Sequence, residues 1–523
     1  LEAYASAWRA ATESGDEQKS SLWQDRAAAL VRQIDARYGP YWSRRADMLL
    51  AAGIARGGGS DNLTVLVRAA ESFYRNGQID QALAAYDRAV ELAGQAKQPD
   101  VAFEQAYTAA AIEQQRGNRR QAAERFRRLA LSLPSHPKAS EAHLLAIYNT
   151  AHDTAPARTP SLSTVSYLTL LQEHLQHWPA AATANQARMW LGGVEEHDKQ
   201  WADAIAAYRG VTPDSDHAVA AVEAAARSYQ QWLSELARAG KPNRGIATEA
   251  ARYFESMVMS PRGDLPERWS QTQRVAATSA ATLWLQHTDD YDQAERLLAA
   301  ALTEADDAPA EWRTAARSLL VFAVAAQGCR DEAARQLGEL ADGAPEQLLL
   351  VIEGLGRLAG KAAPTVRREL AELQLQAAAL VRAKGDAISN QQRRALDLAV
   401  VRGLAAAGRM DEAVKSARQF AAASPRDGET QEEYARLLVD AAEWPEALSA
   451  WRAIQHKCRE GSDRWLRSIY YQSQAMEHLG KSDDAARLIK LTEALHPDLG
   501  GPDLKTRFHE LLRRCLRSAS ASP

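Results

Sequence analysis

Cysteine is rare in this chain. Cys329, Cys458 and Cys515 are odd in number and far apart. They supply neither a disulfide framework nor a CxxC metal pair, and the redox compartment stays open. Aromatic residues are also few, at 7%, which weighs against a sheet-rich interior, where rings and β-branched side chains concentrate. No apolar run reaches the roughly 18 residues that read as a membrane-spanning helix, so no integral membrane segment is expected in this chain. Basic charge is not in surplus either: the formal net charge is -4 and the pI about 6.4. A nucleic-acid-binding domain usually declares itself by a basic excess, so no nucleic-acid partner is expected. Neither a G-x-S-x-G elbow nor a Cys/His nucleophile pair rises above background. No catalytic residue and no cofactor is expected.

Alanine is abundant instead, and with 46% hydrophobic and 25% charged residues the composition is that of a folded chain built from close-packed helices. At 523 residues it exceeds what one core organises, so internal repeats are the first thing to test. A recurring cadence answers that test: a turn residue, then a small alanine, then a bulky residue one helical turn on, often closed by proline. It runs Gly77-Ala82-Tyr86, Gly117-Ala122-Phe126-Pro134, Gly328-Ala333-Leu337-Pro345, Gly408-Ala413-Phe420-Pro425 and Gly480-Ala485-Ile489-Pro497. Further units carry Ala204-Tyr208, Ala294-Leu298 and Ala447-Trp451, with Lys199, Asp289 and Ala442 at the turn position. Each slot has a physical job. The turn residue supplies a left-handed backbone angle, alanine lets two helices approach, the bulky residue fills the groove on the same face, and proline stops the second helix.

This pattern resembles the tetratricopeptide repeat (TPR), a helix–turn–helix unit of about 34 residues. The strong matches cover about half the chain, and the tryptophan of the first helix is mostly missing. The resemblance implies an all-α fold, a right-handed α-α superhelix of antiparallel helix pairs with roughly 12–14 hairpins. The expected organisation is an N-terminal helical pair over 1–56, repeats over 63–150, a Pro/Ser/Thr-rich linker over 151–164, degenerate repeats over 165–345, C-terminal repeats over 346–517 and a disordered tail over 518–523. The stretch "LLQEHLQHWPAAATANQARMWLGGVEEHDKQWADAIAAYRGV" is similar to repeats of bacterial outer-membrane assembly and division lipoproteins. That similarity implies a bacterial, periplasmic or outer-membrane-associated protein. Leu1 is not a methionine and already stands in a helical pattern, as expected of a processed or excised chain, for which any leader, anchor or fused domain would lie outside the given sequence.

Two stretches invite a chemical reading. In "LLLVIEGLGRLAGKAAPT", Gly354, Gly356 and Ala359 fit G-x-G-x-x-A, but Pro364 interrupts the helix that a dinucleotide would need. A packed helix end is expected there. His136, His143, His152, His174 and His177 gather near Glu173 without an H-E-x-x-H motif, and solvated histidines are expected in place of a metal site.

What remains is surface. In TPR arrays the first helix of each unit lines the groove. Its groove-facing slots fall here on Glu429, Glu432, Arg436 and Val439, on Arg467, Tyr470 and Glu477 with Tyr471 beside them, and on Thr64, Val67, Glu71 and Tyr74. The Lys and Asn of the chaperone-tail carboxylate clamp are absent. The expected protein-binding residues are Glu432, Arg436, Arg467, Tyr470 and Tyr471, with Glu71 and Tyr74 as the second face, since Arg and Tyr are enriched at interface hot spots. The expected function is a non-catalytic scaffold that holds a peptide or partner protein. The alternative is an accessory TPR region of a larger enzyme or signalling protein.

Overall fold

Turn residues set the architecture. A computed structural model of the chain describes residues 1–520 apart from 154–159, 261, 304, 306, 342 and 386–387. Gly77, Gly117, Gly328, Gly408 and Gly480 have φ between 74° and 81°. Lys199, Asp289 and Ala442, the non-glycine residues expected at the same position, have φ of 59°, 62° and 58°. At Gly77 the closure is a Schellman turn: Gln78 N–H donates to the Phe73 carbonyl at 2.9 Å and Gly77 N–H to that of Tyr74 at 3.0 Å. Gly117, Lys199, Gly328, Gly408, Ala442 and Gly480 repeat the pair of bonds. So does Lys97 (φ 54°), which the sequence pattern did not mark. Asp289 closes differently, after a short π-helical stretch over Trp284–Thr288.

The chain forms two compact units, Leu1–Ser234 and Glu235–Pro523. The first opens with α1 (Glu2–Glu13) and α2 (Glu17–Gly53). Gly39 breaks α2 with φ 75° and ψ 179°, a conformation essentially reserved for glycine. Pro40 then starts the second limb, where its missing N–H leaves no bond unmade. Next come the hairpins α3 (Leu63–Arg75) with α4 (Ile79–Gln95) and α5 (Pro99–Gln115) with α6 (Arg119–Ser132). They are followed by α7 (Ala139–Ala151), α8 (Pro160–His177), α9 (Ala182–His197) and α10 (Trp201–Arg209). α11 (Ala218–Arg238) begins in the first unit and ends in the second.

The second unit continues with α12 (Arg244–Val258), α13 (Gln271–Leu283), α14 (Tyr291–Thr303), α15 (Ala310–Ala326) and α16 (Arg330–Gly338). Then come α17 (Pro345–Lys361), α18 (Pro364–Ala383), α19 (Asn390–Ala406) and α20 (Met410–Ala423). It ends with α21 (Gly428–Asp440), α22 (Trp444–Gln455), α23 (Asp463–His478), α24 (Ser482–Leu495) and α25 (Pro502–Ser520). Among the described residues there is no strand. Helices pack chiefly on their chain neighbours, as α3, α4, α5 and α6 do in series, and α21, α22, α23 and α24 likewise. The fold is an all-α array of TPR-like helical hairpins.

Close approach of the helices depends on the small slot. Ala82, Ala122, Ala204, Ala294, Ala333, Ala413, Ala447 and Ala485 are all fully buried. Tyr86, Phe126, Tyr208, Leu298, Leu337, Trp451 and Ile489 are buried one turn later. After Ala413 that place is taken by Ala417, and Phe420 is only half-buried.

Some local expectations change. Gln24 reaches into the Gly-rich stretch after α2, where its Oε1 accepts from Ser60 Oγ at 2.8 Å and from the N–H groups of Asp61 and Asn62 at 2.9 and 3.1 Å. The Pro/Ser/Thr-rich stretch read as linker is helical from Pro160 onward, while 154–159 lie outside the described residues. Of the tail read as disordered, residues 518–520 extend α25, and 521–523 lie outside the described residues. Gly354 and Gly356 stand inside α17, not at its end. A Cβ at Gly354 would come within 2.4 Å of the Phe322 ring, so that glycine serves close packing between α17 and α15.

Candidate protein-binding surfaces

The C-terminal candidates lie on α21 and α23 of the second unit. Glu432 accepts from Arg464 Nε at 2.8 Å and from Arg467 Nε at 3.1 Å. Arg436 donates to Glu433 at 3.0 Å, and Arg402 reaches both Glu433 and Glu429. These charges therefore already have partners within the chain. Tyr470 is a core residue, which corrects its expected place on an open face: it is 6% exposed, with its ring edge-on to Phe508 of α25 at 5.4 Å. Arg507 covers the other side, 4.4 Å from the ring centroid. Tyr471 is half-buried, stacked on Trp451 at 4.7 Å, and its hydroxyl accepts from Arg507 at 3.5 Å. The cause is α25, which packs on α23 and α24 beyond the last repeat.

Glu71 and Tyr74 lie on α3 of the first unit, and their surroundings are different. Glu71 makes no hydrogen bond or ion pair with a described residue, and burial, with the Glu71 charge second, pushes the Tyr86 hydroxyl up to about 12. The Tyr74 hydroxyl donates to Gln115 Oε1. Gln115 borders a cleft of about 420 Å³ lined by Tyr107, Ala111, Gln114, Gln115, Arg119, Phe126 and Leu145, from α5, α6 and α7. Beneath it Asn149, fully buried, donates to Gln114 Oε1 at 2.9 Å and to the Leu145 carbonyl at 2.8 Å. Asn149 Oδ1 accepts from Arg119 Nη1 at 2.9 Å, and the Arg119 guanidinium lies 5.8 Å from the Tyr148 ring.

The carbonyl oxygens of Gln114 and Gln115 are thus occupied, whereas their amide N–H groups, the Tyr107 hydroxyl and the other Arg119 donors meet no described protein acceptor. A cleft with occupied acceptors and unoccupied donors suits a ligand rich in acceptors. The sequence held the signal: in the α5 unit the groove slots that gave Val67, Glu71 and Tyr74 fall on Tyr107, Ala111 and Gln114.

The histidine expectation also changes. His143 and His174 are fully buried, not solvated. His143 Nε2 is 3.0 Å from Glu173 Oε2, the two Nδ1 atoms are 3.3 Å apart, and His174 Nε2 is 3.1 Å from Thr183 Oγ1. Arg127 grips Glu173 with two bonds of 2.7 and 2.8 Å. Trp178 packs beside both imidazoles, at 5.1 and 5.5 Å between centroids. Burial pushes His143 below the ordinary range and His174 down to about 4, while Arg127 holds Glu173 down at about 2. His136 stacks on Phe103 at 3.7 Å, and His152 and His177 are exposed. Among the described residues no group of three His, Cys, Asp or Glu side chains is arranged to hold a metal.

No protein-family model matches the chain, and no curated protein is similar to it. Solved structures with partial likeness include a tetratricopeptide repeat protein from Parabacteroides merdae, at 11% identity and a TM-score of 0.27 over 72% of this chain and 98% of that one. The APC/C hetero-tetramer Cut9–Hcn1 matches at 11% and 0.28, over 98% of this chain and 96% of that one. Naa15/Naa10 bound to HypK matches at 12% and 0.31, over 99% of this chain and 79% of that one. The repeat architecture rests on the chain's own turns, buried alanines and neighbour packing.

Proposed function

We propose that the chain is a non-catalytic protein-interaction scaffold whose first unit takes an extended polypeptide segment in the cleft of α5, α6 and α7. The carrying observation is the set of donors around that cleft without a described protein acceptor: the Tyr107 hydroxyl, the amide N–H groups of Gln114 and Gln115, and the Arg119 donors other than Nη1, with Asn149 holding Gln114 and Arg119 and Tyr74 holding Gln115. An extended segment offers backbone carbonyls to such donors, and an acidic side chain or chain end offers a carboxylate to Arg119. Phe126 and Leu145 give apolar contact on the floor. Selection from a random peptide library tests this. Replacing Tyr107 by Phe together with Arg119 by Ala should weaken the selected peptides at least tenfold, about 1.4 kcal/mol, with helicity unchanged. Equal binding by the variant would place the site elsewhere, with the α21–α23 face around Glu432, Arg436 and Arg467 next to test. The proline-and-alanine cadence around Trp178–Tyr208 supports a bacterial envelope setting for this scaffold, which fractionation of the native cells checks.

A further inference from the structure

The break in α2 displays side chains that an ordinary solvated helix would not. Tyr38 and Tyr41 are each 62% exposed and Trp42 is 52% exposed, on either side of Gly39 and Pro40. Arg37, Arg44 and Arg45 are exposed in the same stretch, and none pairs with a described residue. The nearest carboxylates are committed to α3. Asp35 pairs with Arg68, and Asp47, which is buried, pairs with Arg68 at 3.3 Å and Arg75 at 2.6 Å. Folding therefore removes both acids from the elbow and leaves its cations uncompensated, in a chain whose net charge is -4.

We propose that this elbow is a second docking surface, distinct from the cleft, and that its partner is an acidic protein segment with interspersed aliphatic side chains. Charge complementarity selects the acidic character: three arginines without partners form charge-assisted bonds with carboxylates. The rings give rigid apolar area at low entropic cost, and Trp, Tyr and Arg are the residue types that dominate interface hot spots. The order of residues along the second limb argues against a bilayer. A helix lying in a membrane interface gathers apolar residues on one face and cations on the other. Here Tyr41, Arg45 and Met48 share one stripe, with the cation between the ring and a thioether that is 56% exposed. A stripe of that kind matches alternating contacts on a protein and leaves no continuous face to insert.

The test uses the whole chain and three probes. The first is a fluorescein-labelled peptide alternating Glu with Leu, the second the same peptide with Lys for Glu, and the third vesicles of phosphatidylglycerol and phosphatidylcholine. The acidic peptide should raise fluorescence anisotropy, and added salt should weaken it. Charge reversal by Arg44→Glu with Arg45→Glu should reduce its affinity at least tenfold, and Tyr41→Ala with Trp42→Ala should do likewise. All four side chains are exposed, so helicity and melting should stay at parental values. Repeated in a background carrying Tyr107→Phe with Arg119→Ala, in which the cleft is disabled, both elbow variants should still lose the acidic peptide by the same factor, which separates this surface from the cleft. Equal binding of the acidic and basic peptides overturns the proposal, as does undiminished binding by both elbow variants. Capture on vesicles that the elbow variants abolish, without capture of the acidic peptide, replaces the protein partner by a lipid surface.

Discussion

Ala442 and Gly117 close equivalent turns with unequal residues, and exchanging their chemistry should move stability in opposite directions. Ala442 holds φ at 58° and is exposed, so its methyl group contributes little packing. An L-residue in the left-handed region costs roughly 1–2 kcal/mol. Ala442→Gly removes that cost and adds about 0.4–1 kcal/mol of unfolded-chain entropy, which leaves a net gain of about 0.5–1 kcal/mol for the α21–α22 hairpin. Gly117 has φ 81°, and a Cβ placed there meets nothing within 4 Å. The loss in Gly117→Ala is therefore conformational, and the same arithmetic gives about 0.5–1 kcal/mol of destabilisation in α5–α6. A helical-repeat chain opens piecewise, so the readout should be local. Amide exchange in the slowest positions of each hairpin should slow about two- to fivefold for Ala442→Gly and quicken by the same factor for Gly117→Ala. A destabilised Ala442→Gly, or an unaffected Gly117→Ala, would refute the idea that backbone handedness sets these turns.

Enlarging one of the buried crossing alanines, for example Ala122→Leu, should overpack its hairpin by about 1–3 kcal/mol. Exchange should quicken in α5 and α6 while α21 and α22 keep their rates, and damage spread evenly along the chain would contradict neighbour-limited packing. The His143–His174 pair should make the first unit acid-sensitive. Both folded pKa values lie below the ordinary 6.5, His174 at about 4, so the unfolded chain takes up protons first as pH falls. Stability present above about pH 6.5 should decline between there and about pH 4. Glu173, held at about 2, withdraws its own contribution only below about pH 4.5. Comparing unfolding midpoints at pH 7.5 and 5 checks this, because His174→Gln should shrink the difference and an unchanged difference would exonerate the imidazoles.

The repeat was legible because its slots are local and demanding. A left-handed turn residue and an alanine at a helix crossing are dictated by φ and by volume, and both kinds of constraint show in single residues such as Gly77 and Ala82. Nothing in lysine advertises positive φ: Lys199 was placed by the Ala204 and Tyr208 that follow it, whereas Lys97 is followed by Ala102 and then the small Ala106, so it escaped. The groove slots of α5 were equally readable, since Tyr107, Ala111 and Gln114 keep the spacing already applied to α3. Other features come from contacts distant in sequence. Tyr470 is buried by Phe508 and Arg507 on α25, a helix outside the repeat pattern that predicted an open face. His143 and His174 meet only because α7 packs on α8, and no motif encodes two imidazole nitrogens at 3.3 Å.

Lys97 has one more implication. Its closure between α4 and α5 is the same as those of Gly77 and Gly117 within their hairpins. Joints inside a unit and joints between units are thus chemically interchangeable in this stretch. A gene duplication or deletion that cuts at any of these turns restores the same hydrogen-bonded end, and the flanking helices meet a familiar neighbour. This part of the array can therefore change length by whole helix pairs without needing a new kind of junction.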